Sequence, residues 1–197
     1  DHRDLHSFPT RRSSDLFGLD KVYHDVKLNG IHFLLLSQEA YRQERPEVKE
    51  GAWHSHAQFQ WLKEKLSGHA LKDPLFIFIH QPLPPPGTDG GDHEMIRGEL
   101  FRRIVSPFQN LFVFSGHTHL DFKYAREHYS QEETFHWFQN SSVGQVLEPD
   151  GKQGPFAADL AQGFYVELFE NAVVVRGREF STGEWYERVH WEIPLVK

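Results

Sequence analysis

Three histidines follow two apolar runs, at positions from which their ring nitrogens could bind a metal ion. His80 comes directly after LFIFI, and LFVFS is followed by GHTH, in which one residue separates His117 from His119. Neutral imidazole is the commonest side-chain metal ligand and suits zinc, iron and nickel. Histidines at i and i+2 of an extended chain point the same way, about 6 to 7 Å apart at Cα. This spacing predicts a site for one ion or for two neighbouring ions.

The two apolar runs predict the elements that bring these histidines together. LFIFI and LFVFS are apolar nearly throughout, which is typical of strands covered on both faces in a parallel sheet. Between them, Ile96, Leu100 and Ile104 recur every four positions, which predicts a helix over 94–105 that ends before Pro107. Strand, crossover helix and strand form a βαβ unit with parallel strands. Both strands then end at one edge of the sheet, where ligand sites of open α/β folds occur.

Two glycine-containing segments lie beside this predicted site. Gly116 has no Cβ, so we expect the chain to turn sharply there and to approach a bound ion closely. The loop GTDGGDH at 87–93 offers Asp89, Asp92 and His93, which can all bind metals. Its glycines do not hold the loop in one conformation, so the pattern predicts a mobile loop at the rim of the site instead of a set of ligands.

The other histidines of the chain predict structural or surface roles. His54 and His56 have the same spacing as the GHTH pair, but they lie at the predicted start of a helix. Side chains at i and i+2 of a helix point in different directions around its axis, so we do not expect these two to bind one ion. His136 and His190 lie in segments that alternate like antiparallel strands, and we expect them to pack or to face solvent.

The rest of the chain predicts one α/β domain. Asn29-Gly30 indicates a β-hairpin within 22–37, and Ser55 is a plausible N-cap for a helix that ends near Ser67. The charged segment 38–51 predicts a solvated loop. Four segments after residue 122 predict antiparallel strands, with a long Gly- and Pro-rich loop at 147–162 inserted among them; the segments are FHWFQN, FYVELF, AVVVRGREF and WYERVHWEI.

Composition excludes several classes of protein. The net charge is −7 and no cluster of Lys and Arg is visible, so a nucleic-acid partner is not expected. Cysteine is absent, which excludes disulfides and thiolate metal sites. No apolar run is long enough to span a membrane. Compartment and oligomeric state are left open.

The first sixteen residues, DHRDLHSFPTRRSSDL, resemble the translation of a common sequencing-library adapter. We therefore expect residues 1–16 not to be biological and the domain to occupy residues 17–197. The natural N-terminus is then expected upstream of Phe17.

FIFIHQP and FSGHTH resemble the last two metal motifs of the calcineurin-like metallophosphoesterases, and HAQFQWLKEKL resembles the helix that precedes them. The resemblance covers most of 22–145. It implies a four-layer α/β sandwich, in which this chain supplies a βαβ unit followed by antiparallel strands, and hydrolysis of a small phosphomonoester or phosphodiester. Two divalent ions such as Mn, Fe or Zn would be bound, with His80 and His117 on one ion and His119 on the other. Asn140 matches a recurrent asparagine of the family.

The first three motifs of that family have no counterpart in this chain. They are an Asp-x-His, a Gly-Asp with the bridging Asp, and an Asn-His pair that includes the presumed proton donor. The resemblance therefore implies the C-terminal portion of such an enzyme, with its catalytic proton donor outside this chain, and we expect the portion alone to be inactive.

Two alternatives remain open at this stage. HTHLDF nearly matches the H-x-H-x-D-H motif of metallo-β-lactamase-like hydrolases, except that Phe122 stands where a histidine is required. The chain could instead be a metal-stabilised binding module without activity, whose aromatic strands at 164–193 contact a carbohydrate or a protein.

Overall fold

The computed structural model describes residues 20–132, 134–154 and 159–197. The predictions for residues 1–16 lie outside these ranges. The described residues form the following strands and α-helices: β1 (His24–Leu28), β2 (Ile31–Leu35), α1 (His56–Ser67), β3 (Leu75–Phe78), α2 (Gly98–Val105), β4 (Leu111–Ser115), β5 (Tyr129–Gln131), β6 (Phe135–Gln139), β7 (Gln162–Leu168), β8 (Ala172–Glu179) and β9 (Trp185–Pro194). Short 3-10 turns lie at Pro46–Val48 and Phe122–His128.

A six-stranded sheet with the order β1-β2-β3-β4-β6-β5 forms the centre of the protein. Strands β2, β3, β4 and β6 are parallel, while β1 and β5 pair antiparallel at the two edges. The predicted parallel pairing of LFIFI with LFVFS is therefore confirmed. Asn29 and Gly30 connect β1 to β2 with positive φ angles of 51° and 84°, as the hairpin prediction requires.

Strand β6 corrects one sequence prediction. FHWFQN was expected to join the antiparallel strands, but it pairs parallel with β4. Its side chains explain the difference, because Phe135 packs into the core on one face of the sheet and Phe138 into the core on the other. A strand covered on both faces belongs inside a parallel sheet.

Two cores lie on opposite faces of the large sheet. Helices α1 and α2 cover one face, where Phe59 and Phe101 pack against Leu75 and Leu111. The antiparallel sheet β7-β8-β9 covers the other face, where Phe76 belongs to the same core as residues of β8 and β9. The described residues thus form a mixed α/β fold in three layers, and the fourth layer of the expected sandwich is not among them. No helix within the described ranges has the length and apolar character to cross a membrane.

Helix α1 begins as its sequence predicts. The hydroxyl of Ser55 accepts a hydrogen bond from the backbone N–H of Gln58 at 3.1 Å, which satisfies one free donor of the first turn. Phe59, Leu62 and Leu66 are buried along one face. The predicted helix and its apolar face are therefore confirmed.

Helix α2 is shorter than its pattern predicts, and it buries a different face. Glu94 and Ile96 form backbone hydrogen bonds with Ala52, and Arg97 has a φ of 68°, so the helix begins at Gly98 instead of Glu94. Phe101 and Val105 are fully buried, while the expected Leu100 and Ile104 are half-buried. The pattern failed because the helix has two neighbouring rows of apolar residues with i, i+4 spacing. The row of Phe101 and Val105 is buried more deeply than the row of Leu100 and Ile104.

Candidate metal centre

His80 and His117 lie side by side at the carboxyl ends of β3 and β4. The parallel hydrogen bonding continues beyond these strands, because the N–H of Gly116 donates to the carbonyl of His80 at 2.9 Å. This bond aligns the two histidines across the sheet. Their ring centroids are 5.2 Å apart in an edge-to-face arrangement, and Nε2 of His80 lies 3.4 Å from Nδ1 of His117.

The backbone of the GHTH segment is left-handed at both histidines, not extended as its spacing suggested. The N–H of Thr118 donates to the carbonyl of Gly116 at 2.9 Å, which closes a three-residue turn around His117. The φ angle is 74° at His117 and 56° at His119. A left-handed conformation costs an L-residue roughly 1 to 2 kcal/mol. Such strain is retained mainly at functional sites, where the surrounding structure enforces it.

The sharp turn expected at Gly116 is instead made by His117. Gly116 has no positive φ, and a Cβ at this position would meet nothing closer than the carbonyl oxygen of His80 at 4.0 Å. Asn140 lies at the same edge, since its N–H donates to the carbonyl of Ser115 at 2.7 Å. Its side-chain oxygen accepts a hydrogen bond from the N–H of Phe164 at 3.1 Å, so this side chain connects the edge to β7.

A glutamate and a fourth histidine reach this edge from the rim loops. Nδ1 of His93 lies 3.1 Å from Nε2 of His117 and 3.5 Å from a carboxylate oxygen of Glu50. One potential ligand atom each from Glu50, His93 and His117 lies within 4.8 Å of the others, a group that could hold a metal ion. His80 and His119 are not in this group.

The sequence did not predict a role for Glu50, and its prediction of a mobile loop at 87–93 was wrong about the glycines. Glu50 lies in the segment predicted to be a solvated loop, and nothing in its spacing links it to the histidines. The glycines do organise the rim, since they permit close backbone contacts. A Cβ at Gly90 would lie 2.0 Å from the carbonyl oxygen of Met95, and a Cβ at Gly51 would lie 2.3 Å from that of Gly91.

Burial and electrostatic repulsion favour the neutral forms of His80 and His117. Loss of hydration lowers the pKa of His80 below its usual 6.5, and repulsion from the neighbouring His119 lowers it further. Loss of hydration also lowers the pKa of His117, as do His80, His93 and His119, while Glu50 acts in the opposite direction. A neutral imidazole has a lone pair available for a metal. The donor set therefore fits divalent cations.

Four further histidines have the structural or surface roles that the sequence predicts. His54 is buried beside Phe59, and burial lowers its pKa to about 4. His56 and His190 are exposed. His136 forms a 2.9 Å hydrogen bond with the hydroxyl of Tyr129.

Asp121 does not join the histidines, as a metallo-β-lactamase-like motif would require. Its carboxylate accepts hydrogen bonds of 3.0 Å from the side chain of Gln162 and from the N–H of Lys123. Phe122, which stands in place of the motif's last histidine, is buried and stacks on Phe164.

Comparison with known proteins gives only slight similarities. No protein-family model matches the sequence. No curated protein matches it either. Among solved structures, a double mutant of Vps29 from Entamoeba histolytica is 8% identical, with a TM-score of 0.32 over 82% of this chain and 99% of the other. Vacuolar protein sorting 29 from Cryptosporidium parvum is 12% identical, with a TM-score of 0.32 over 76% of this chain and 81% of the other. Likenesses this slight do not establish a shared fold or function.

Proposed function

We propose that residues 17–197 are the C-terminal portion of a metal-dependent phosphoesterase with a four-layer α/β sandwich fold. In this proposal His80, His117 and His119 are ligands of a centre for two divalent ions. The observation that carries it is the 3.4 Å approach of ring nitrogens of His80 and His117 at the ends of adjacent parallel strands. The resemblance of FIFIHQP and FSGHTH to metallophosphoesterase motifs supports the same assignment.

The chemistry of phosphate esters explains why such a centre needs metal ions. When bound, two divalent ions about 3.5 to 4 Å apart lower the pKa of a water molecule and neutralise the phosphoryl oxygens. The chain's own residues hold this centre in place. The bond from Gly116 to His80 fixes the two strand ends, and the left-handed turn at His117 directs its ring toward His80.

Within the described ranges, no carboxylate joins His80 and His119 in a group that could hold a metal ion. Glu50 is the carboxylate of the His/Glu group found among the described residues, and it approaches His93 instead of His80. We therefore propose that the bridging ligand and the proton donor come from a preceding part of the polypeptide, so that the chain of 197 residues is inactive by itself.

Phosphatase assays on two polypeptides test this proposal. With Mn²⁺, the chain as printed should hydrolyse neither p-nitrophenyl phosphate nor bis-p-nitrophenyl phosphate above background. The parent polypeptide, extended upstream, should hydrolyse at least one of them. His117→Ala and His119→Ala in the parent should abolish turnover and lower its metal content, while the exposed His190→Ala should not. Unchanged turnover and metal content in His117→Ala and His119→Ala would contradict the proposal.

A second candidate is a metal-stabilised binding module without catalytic activity. The group of Glu50, His93 and His117 favours this candidate for the chain taken alone, because it could hold one ion and not two. Strands β7 to β9 also present aromatic side chains to solvent: Tyr165 and Trp185 are 47% and 40% exposed. Such rings could contact a protein or a carbohydrate. If the parent polypeptide binds metal and is stabilised by it but shows no turnover, this candidate replaces the first.

A further inference from the structure

We propose that Glu50, His93 and His117 form an outer metal site that binds one zinc-like divalent cation beside the sheet edge. Their ligand atoms lie within 4.8 Å of one another. Two imidazoles and one carboxylate with further positions open are a ligand set of zinc sites and of non-haem iron(II) sites. The site shares only His117 with the proposed phosphoesterase centre, so it does not depend on phosphate-ester hydrolysis.

The backbone of Glu50 is held on both sides. Its carbonyl accepts a 3.0 Å hydrogen bond from the side chain of Gln81, which is buried and directly follows His80. Its N–H donates to the carboxylate of Asp92 at 3.2 Å. Glu50 is therefore tied both to the end of β3 and to the loop that carries His93. These bonds fix the backbone position from which its carboxylate extends toward His93.

His93 is held over the edge by its own loop. The N–H of Arg97 donates to the carbonyl of Asp89 at 2.7 Å, and the N–H of Ala52 donates to the carbonyl of Glu94 at 2.9 Å, which closes the loop and pins its end. His93 itself has a φ of 67°. A histidine held in this costly conformation indicates that the ring position matters.

His117 offers its two ring nitrogens to different groups. Nδ1 faces His80 at 3.4 Å, while Nε2 faces His93 at 3.1 Å. A neutral imidazole has one lone pair in its plane, so it can serve one of these groups at a time. The inner and outer sites therefore compete for His117. An ion in the outer site would withdraw this ligand from the inner set, and this consequence, which rests on the proposed function, would inhibit hydrolysis.

The outer site is open to incoming ions. The side chain of His93 is 58% exposed and that of Glu50 is 36% exposed. Both line a surface hollow of about 480 Å³ together with Arg42, Lys49 and Asp92. Arg42 lies 3.7 Å from the carboxylate of Glu50, but an ion pair this exposed contributes little, so a divalent cation can displace it.

Cobalt binding by a chain without the inner ligands tests this inference. In the full chain, His80→Ala with His119→Ala removes the inner set but leaves the outer one. Equilibrium dialysis and visible absorption should then show one Co²⁺ per chain. Adding Glu50→Gln or His93→Ala should weaken Co²⁺ binding by more than roughly tenfold to hundredfold. A loss of that size is expected for a residue that only hydrogen-bonds to a ligand, and these two residues are proposed to bind the ion directly. Adding Glu47→Gln, which changes an exposed carboxylate of the same loop, should leave Co²⁺ binding unchanged.

The outcomes separate this inference from the proposed function. If the double variant, folded by circular dichroism, binds no Co²⁺, or if Glu50→Gln and His93→Ala leave its affinity unchanged, the outer site is wrong. Binding by the unaltered chain that is lost in the double variant would assign the ion to the inner set alone. A parent polypeptide without phosphatase activity would refute the proposed function and would not affect the Co²⁺ result.

Discussion

The histidine edge and the cluster around Gln162 are both rich in polar groups, but only the cluster pairs its groups completely. Gln162 is fully buried. Its side-chain oxygen accepts hydrogen bonds from the N–H of Phe122 at 2.9 Å and the hydroxyl of Ser141 at 2.8 Å. Its side-chain nitrogen donates to Asp121 at 3.0 Å and to the hydroxyl of Tyr186 at 2.7 Å. Every donor in this cluster meets an acceptor.

The histidine edge pairs imidazoles with one another instead. The ring nitrogens of His80, His117 and His93 face one another, and the pKa values of His80 and His117 are lowered by burial and by neighbouring imidazoles. Complete pairing is what a structural role requires of buried polar groups. Converging ring nitrogens on a strained backbone are what a cation site requires. The contrast supports a structural role for the Gln162 cluster and the proposed binding role for the histidine edge.

The largest expected effect lies in the structural cluster. Gln162→Leu should lower the free energy of unfolding by about 4 kcal/mol, because several buried groups lose their partner at roughly 1 to 3 kcal/mol each. Urea denaturation measures this loss. Gln145→Leu, a change at an exposed glutamine, is the control and should cost less than about 0.5 kcal/mol. If Gln162→Leu cost as little, complete pairing would not indicate a structural role.

A smaller effect concerns His54, a buried histidine outside the metal group. Burial lowers its folded pKa to about 4, below the usual 6.5, so the unfolded chain binds a proton first as the pH falls. As the pH falls from 6.5 to 4, this difference lowers the free energy of unfolding by roughly 3 kcal/mol in total. His54→Leu should remove this part of the pH dependence in urea denaturation. An unchanged slope would mean that His54 is hydrated in the folded protein.

The smallest effect concerns the strain at His117. His117→Asn should raise the free energy of unfolding of the metal-free chain by up to about 1 kcal/mol, since asparagine tolerates a positive φ better. The same change should abolish Co²⁺ binding. Urea denaturation and equilibrium dialysis measure the two effects, and the exposed His190→Asn should produce neither. A loss of stability in His117→Asn would give this histidine a structural role.

The sequence predicts the parts of this protein that depend on periodicity and local chemistry. The Asn29-Gly30 hairpin and the Ser55 cap follow from patterns within a few residues. Parallel pairing of the two apolar runs follows from the order strand, helix, strand. The approach of His80 to His117 follows from that pairing. These features are predictable because short-range sterics and burial decide them.

The rim of the site could not be predicted in this way. Glu50 reaches the edge through hydrogen bonds with residues that lie 31 and 42 positions away in the sequence. The left-handed turn at His117 depends on what surrounds the end of β4 and not on the GHTH letters. Gly90 has two local interpretations, a mobile loop or a close backbone contact, and only the tertiary structure distinguishes them.

Zinc titration of a chain with ¹⁵N-labelled histidines tests most directly that this edge binds a metal. With one equivalent of Zn²⁺ near pH 7, the ring-nitrogen resonances of His117 and of at least one of His80 and His93 should shift. The resonances of His54 and His190 should stay in place. Resonances of His80, His93 and His117 that do not move, or shifts confined to other histidines, would contradict the account.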